Sequence, residues 1–192
     1  MYPPLLTALG IVVPVSLAGL TQVAVIRLNW LRGLAAMPLD FGARIRGTRL
    51  FGDNKTMRGL VVMVAATAAW VLIQHAFLVG MGSNEAALPA FQRLHPLEWG
   101  ALAGLGYVIG ELPNSFIKRR LGISAGAAAG GGLGVLFWTI DQVDSVGGVL
   151  LILLLVWTPS LQVVAALLGI TLLVHPLVAL VMFCLGLKDR IG

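Results

Sequence analysis

LEWGALAGLGYVIGELPNSFIKRR, Leu97–Arg120, is almost free of charge for its first 21 residues and then ends in three consecutive cations. About 20 mostly apolar residues suffice for a helix to cross a bilayer. Leu97–Ile117 therefore reads as a membrane span, with Lys118, Arg119 and Arg120 marking where it leaves the hydrocarbon. Gly100 and Gly104, then Gly106 and Gly110, repeat a small residue at one-turn spacing, which lets another helix approach closely. Glu98 lies at the start of the span and Glu111 near its end.

The rest of the chain reads the same way. Its 192 residues are 58% hydrophobic and 11% charged, with a mean hydropathy of +0.95, far from the mix of a soluble domain. Leu5–Ile26 and Leu60–Met81 carry no charge. Ser145–Trp157 is too short alone, but starting it at Asp141 brings it to spanning length. Leu161–Leu187 is long enough to tilt. The expectation is an all-α, polytopic membrane protein of five transmembrane helices.

Charge placement orients it. Twelve of the 13 Lys and Arg residues fall between helices 1 and 2, between helices 3 and 4, or after helix 5, and Arg93 alone is on the other side. The excess of cations in cytoplasmic loops puts the N-terminus outside, the C-terminus in the cytoplasm, and two long loops, Arg27–Arg58 and Lys118–Ile140, on the cytoplasmic face. The net charge of +5 is thereby explained without nucleic acid. Cys184, the single cysteine, reads as a small apolar packer. In the second loop a Gly/Ala tract precedes Leu133–Ile140, too short to cross and suited to a re-entrant or interfacial segment. "GAAAGGGLG" lacks the Gly-Lys-Ser/Thr ending of a nucleotide P-loop.

Ionisable groups in or beside a span are expensive and mark function by default. Glu111, Asp141 and Asp144 all lie at the cytoplasmic ends of their helices, the same end as Lys118–Arg120. "DQVD" puts Asp141 and Asp144 three apart, on one helical face. Such a pair suits Mg²⁺, which takes one or two protein carboxylates and completes its shell with water and phosphate. Acids in a first helical turn also complement the helix dipole, a sufficient account of Asp144 by itself. Lys118 and Arg119 lie where a metal-bound polyphosphate would sit, whereas Arg120 reads as an anchor. "GDNKT", Gly52–Thr56, could be an ordinary turn or a flap over a nucleotide.

Taken together these blocks resemble a known group. Ser115-Phe116-Ile117-Lys118-Arg119 and the later Asp141-Gln142-Val143-Asp144 are similar to the split signature of the phosphatidate cytidylyltransferases. "FGDNKTMRG" (Phe51–Gly59), "SFIKRRLGI" (Ser115–Ile123) and "DQVD" are closer still to the CDP-archaeol synthase family, its small five-helix relative. The resemblance implies a single transmembrane cytidylyltransferase domain over 1–192, in the cell (inner) membrane with its active site facing the cytoplasm. It implies Mg²⁺-dependent transfer of CMP from CTP to a lipid phosphate, archaeol phosphate-like or phosphatidate-like, in phospholipid biosynthesis. Asp141 and Asp144 would hold metal and Lys118 would act beside them as catalytic residues. Asn54, Lys55, Thr56, Ser115 and Arg119 would bind substrate. Glu111 stands where the family usually has Asp, so a metal role there reaches one methylene further. CTP and the lipid phosphate are the expected partners, with a homo-oligomer allowed. The competing function is a small membrane transporter or scaffold that keeps the fold without the activity. The Asp-Gly-x-x-Ala-Arg run of a CDP-alcohol phosphotransferase is absent.

Overall fold

The structure, a computed structural model, describes residues 3–82, 93–127, 130–184 and 186. Five long helices dominate it: α1 (Pro4–Arg27), α3 (Met57–Gly80), α4 (Pro96–Arg120), α5 (Gly132–Leu153) and α6 (Leu161–Cys184). Between α1 and α3 lie a single turn, α2 (Arg32–Ala35), and a hairpin of β1 (Arg44–Ile45) and β2 (Thr48–Arg49), a small departure from the all-α expectation. Helices α1, α3 and α5, and residues Leu161–Leu180 of α6, are long and apolar enough to cross a membrane. α4, at 25 residues, spans about 37 Å at 1.5 Å per residue, but carries Glu98, Glu111 and the terminal cations.

α4 is the hub, packed between α3 and α5, while α1 joins α3 to α6 and α6 closes against α5. Its glycines explain why. A Cβ at Gly100 would sit 2.6 Å from Ala68 Cα, and one at Gly104 2.7 Å from the Met63 carbonyl, both on α3. A Cβ at Gly106 would sit 2.8 Å from the Gly148 carbonyl on α5. The two glycine pairs therefore serve two helices. In lipid, where no hydrophobic force drives helices together, such close backbone approach supplies the packing. A core of Ile11, Val71, Trp99, Ala103, Val149, Leu153 and Leu167 joins all five long helices. At the opposite end, His95 and Glu98 form a capping box on α4, which accounts for both.

Two sequence boundaries are corrected. The fourth long helix starts at Gly132 rather than Asp141, so Leu133–Ile140 is not a segment separate from the span but the first turns of α5. Gly131, at φ 62°, breaks the chain before it, and from Leu133 onward no breaker prevents the backbone from satisfying itself as helix. The helix stops at Leu153 rather than Trp157, and Pro159 disfavours its resumption at Thr158. The second loop is correspondingly short, since Lys118–Arg120 also belong to α4. Leu185 and residues 187–192, the end assigned to the last span and tail, fall outside the described residues, and Cys184 is exposed rather than packed.

Candidate active site

Because α5 begins nine residues earlier than expected, Asp141 and Asp144 sit inside a helix rather than in its first turn. The dipole explanation, which fades beyond the first turn, no longer applies to either. They face α4 across the glycine contact. There Glu111, Asn114 and Lys118 recur at i, i+3 and i+7, one face of a helix.

Asn114 holds the acids together. Its Nδ2 donates to Asp141 Oδ1 at 2.6 Å and to Asp144 Oδ2 at 2.7 Å, so the two carboxylates converge on one nitrogen. Lys118 Nζ contacts both Asp141 oxygens, at 2.5 and 2.6 Å, and lies 5.4 Å from the centre of the Phe137 ring. Ser145 Oγ is within hydrogen-bond range of Asp144 Oδ1 (3.1 Å) and Glu111 Oε1 (3.4 Å). Tyr107 lines the same cavity as Glu111 and Ser145. Lys55 pairs with Glu111 from the first loop. Five of the residues singled out in the sequence, Lys55, Glu111, Lys118, Asp141 and Asp144, thus form one network.

Others stand apart. Arg119 points away from its neighbour Lys118, since successive helical residues are about 100° apart. Its guanidinium stem runs under the first loop: a Cβ at Gly52 would meet Arg119 Cδ at 3.4 Å and Asn54 Oδ1 at 3.3 Å. Gly52, at φ 99°, is what the loop needs there. Arg119 is 8% exposed, and its Nε and Nη1 are buried without a hydrogen-bond partner among the described residues. A buried cation with unsatisfied donors is costly unless an anion meets it. Asn54 lies at the edge of this pocket. Thr56 is the N-cap residue of α3 without a side-chain cap bond, and Ser115 makes no side-chain bond to the acids among the described residues.

Among the described residues no three His, Cys, Asp or Glu side chains converge as a preformed metal cage. The donor set nevertheless fits a hard divalent cation that brings its own water and phosphate ligands. Two carboxylates meet at one point, and Asn114 Oδ1 beside them is buried with no hydrogen-bond partner. Glu111 is joined to the pair through Ser145, and among the described residues the three acids do not form a ready cluster of ligands.

The network opens on one side into a cavity of about 210 Å³ between α1, α3, α4, α5 and α6. Its walls are mainly aliphatic, among them Ile11, Val15, Met63 and Val149. Glu111 and Ser145 line it as well, so the charged network meets the apolar chamber at these two residues.

The sequence reading missed Asn114, Ser145 and Tyr107. Asn114 could have been found from its position between Glu111 and Lys118 on one α4 face. Ser145 carries no such signal, because its partner on α4 is 34 residues away in the chain.

A family model described as CarS-like: CDP-archaeol synthase matches residues 6–191. The CDP-archaeol synthase of Methanopyrus kandleri is 34% identical over 155 residues, covering 79% of this chain and 78% of that one. That of Halobacterium salinarum is 34% identical over 160 residues, covering 80% and 82%. A solved structure of an intramembrane enzyme for archaeal membrane lipids biosynthesis superposes with a TM-score of 0.60 at 27% identity, covering 88% of this chain and 89% of that one.

Proposed function

The chain belongs to the CDP-archaeol synthase family, and from that premise we propose that it transfers CMP from CTP to a lipid phosphate, releasing pyrophosphate and a CDP-activated lipid. The acceptor is archaeol phosphate-like or phosphatidate-like. One observation carries the reading: the network of acids and cations reaches, through Glu111 and Ser145, the wall of a largely apolar chamber between membrane-type helices. A phosphate on two hydrocarbon chains needs both environments side by side.

In this reading 1–192 is one domain that crosses the membrane five times, through α1, α3, α4, α5 and α6. The N-terminus is outside, the C-terminus is in the cytoplasm, and the site faces the cytoplasm of the cell (inner) membrane. Twelve of 13 cations on one side support that orientation.

Asp141 and Asp144 would hold Mg²⁺, which when bound would neutralise charge on the CTP phosphates and on the departing pyrophosphate. The chain's own groups do the rest. Arg119 takes phosphate oxygens with its free fork, Lys118 and Lys55 add point charges, and Asn54 and Thr56 line the nucleotide side. Ser115 and Glu111 flank the acceptor. An oxygen of the lipid phosphate attacks the α-phosphorus, the bond to the bridging β-oxygen breaks, and the electron pair leaves with pyrophosphate. An ionised phosphate monoester is already a nucleophile, so position and electrostatics suffice.

The test is pyrophosphate release by purified protein in detergent, with CTP against other nucleotides and phosphatidate, archaeol phosphate and a polyprenyl phosphate in turn. CTP-specific release that chelation of divalent cations abolishes is the expected result. Silence with every lipid from folded protein overturns the reading and leaves a transporter or scaffold. Arg119→Ala is expected to lower kcat/KM for CTP by about 10²-fold, about 2.7 kcal/mol, with little change in KM for the lipid. An unchanged CTP profile removes Arg119 from the nucleotide site.

A further inference from the structure

Arg120, read from sequence as an anchor, does something more specific. At the last residue of α4, its Nη1 donates to the Ile45 carbonyl at 2.9 Å. Its Nη2 donates to the carbonyls of Thr48 at 3.2 Å and Arg49 at 2.7 Å. One guanidinium therefore grips both strands of the hairpin, and it lies 5.2 Å from the centre of the Phe116 ring. The hairpin is short, with Arg44 opposite Arg49 and Ile45 opposite Thr48. Arg46 and Gly47 turn it at φ 51° and 81°, the sign that a two-residue hairpin turn requires at both positions. Two-residue strands are not stable alone; the grip on α4 holds them in place.

The hairpin in turn fixes the loop segment after it. Arg49 reaches back to Asp40 (Nη2 to Oδ1, 2.5 Å) and forward to Asp53 (Nη1 to Oδ1, 3.0 Å). Asp40, whose side chain is 1% exposed, also accepts from the amides of Gly42 at 3.0 Å and Phe51 at 3.4 Å. Burial raises the Asp40 pKa, but the Arg49 guanidinium and these amides together hold it below the usual carboxylate range. Leu39 and Met57 complete the frame by donating to the carbonyls of Lys55 and Met37. Gly52–Lys55, shortly beyond Arg49, is thus tied to α4 by two routes: the Lys55–Glu111 pair, and a path through Asp53, Arg49 and the hairpin to Arg120 that does not pass through Asp141 or Asp144.

We infer that Arg120, acting through the hairpin and Arg49, is a positioning residue that sets the register of Gly52–Lys55 above Arg119 and so the affinity for the nucleotide. The inference rests on the CTP reading for its consequence, though not for its geometry. An interfacial anchor would need only a charge at position 120. A positioning fork needs the planar donors that reach three carbonyls, which an ammonium cannot supply.

The experiment compares wild type with Arg120→Ala and Arg120→Lys, purified in detergent and assayed with Mg²⁺, CTP and the acceptor that wild type uses. The expected result is a rise of about 10-fold or more in KM for CTP in both variants. KM for the lipid and kcat at saturating CTP should stay within about threefold. Hydrogen exchange supplies the readout independent of turnover: amides of Leu50–Thr56 should exchange about 10-fold faster, with those of α5 unchanged. Asp40→Asn, which loosens the same frame from its other end, should shift KM for CTP in the same direction and serves if Arg120→Ala fails to fold. Full rescue by lysine, or equal loss in kcat and both KM values, overturns the inference in favour of an anchor or a merely structural residue. Unaltered exchange at Leu50–Thr56 overturns it whether or not any lipid is turned over, whereas wild-type silence with accelerated exchange in the variant condemns the CTP reading and leaves the clamp.

Discussion

Asp141→Asn and Asp144→Asn should each lower kcat by about 10³-fold or more while leaving the protein folded in its membrane. Each change removes one formal charge from the pair proposed to hold the metal, with almost no change in shape. A loss of 10³ corresponds to about 4 kcal/mol of transition-state stabilisation, a reasonable share for a carboxylate that would hold the cation neutralising charge on the leaving pyrophosphate. Folding should survive because the introduced amide keeps an acceptor oxygen for Asn114 at either position. At position 141 it also leaves Lys118 a partner oxygen, and Asp141 is 41% exposed on its side chain, so water can share in solvating that ammonium. The measurement is CTP-dependent pyrophosphate release beside a melting curve in the same detergent. Wild-type turnover in both variants, at normal melting temperature, would falsify the metal assignment and shift attention to Glu111.

The second large effect is structural. Gly148→Leu should prevent α4 and α5 from packing, because a Cβ at that position already meets Gly110 Cα at 2.6 Å and Gly110 N at 2.6 Å. Those are backbone atoms of another helix and cannot swing aside as a side chain can. Overpacking a tight contact costs about 1–3 kcal/mol or more, a large part of the roughly 5–15 kcal/mol that holds a typical protein folded. The acids would move apart from Asn114 and Lys118 with the helices, so activity should disappear along with monodisperse protein. Gly147→Leu is the control, since a Cβ there meets nothing within 4 Å and leucine favours helix over glycine. Equal melting temperatures for the two variants would show that the glycine contact does not carry the packing.

Much of the site was legible because its residue types are rare in this composition. In a chain with eight acids and 58% hydrophobic residues, two aspartates three apart beside an apolar run stand out. Three cations at the end of a span do so too. Distances along one helix are fixed by its period, so Asp141 and Asp144 could be placed on one face without a structure. Less legible was where that helix begins. Leu133–Ile140 is too short to cross alone, and only the structure joins it to α5 as one helix.

Lys118 and Arg119 illustrate the other limit. Adjacent in sequence and alike in charge, they read as one motif, yet the helix turns them apart, one onto Asp141 and the other beneath Gly52. Arg120, one residue on, serves a third purpose, gripping the hairpin through its main chain. Backbone carbonyls are present at every position, so nothing in the side chains of residues 45–49 announces that they will be gripped.

The sequence by itself determined the class of environment, since transfer free energy is additive over residues and apolar runs of spanning length report it directly. It also carries the cation pattern from which the sidedness is proposed and, through local helical period, the pairing of the acids. Tertiary structure decided which groups meet across helices: Asn114 with both aspartates, Ser145 with Glu111, Lys55 with Glu111, and the charged cluster with the apolar chamber. The meetings between α4 and α5 depend on the approach at Gly106, Gly110 and Gly148. Contact between helices is a property of pairs of surfaces, which no single run of residues encodes.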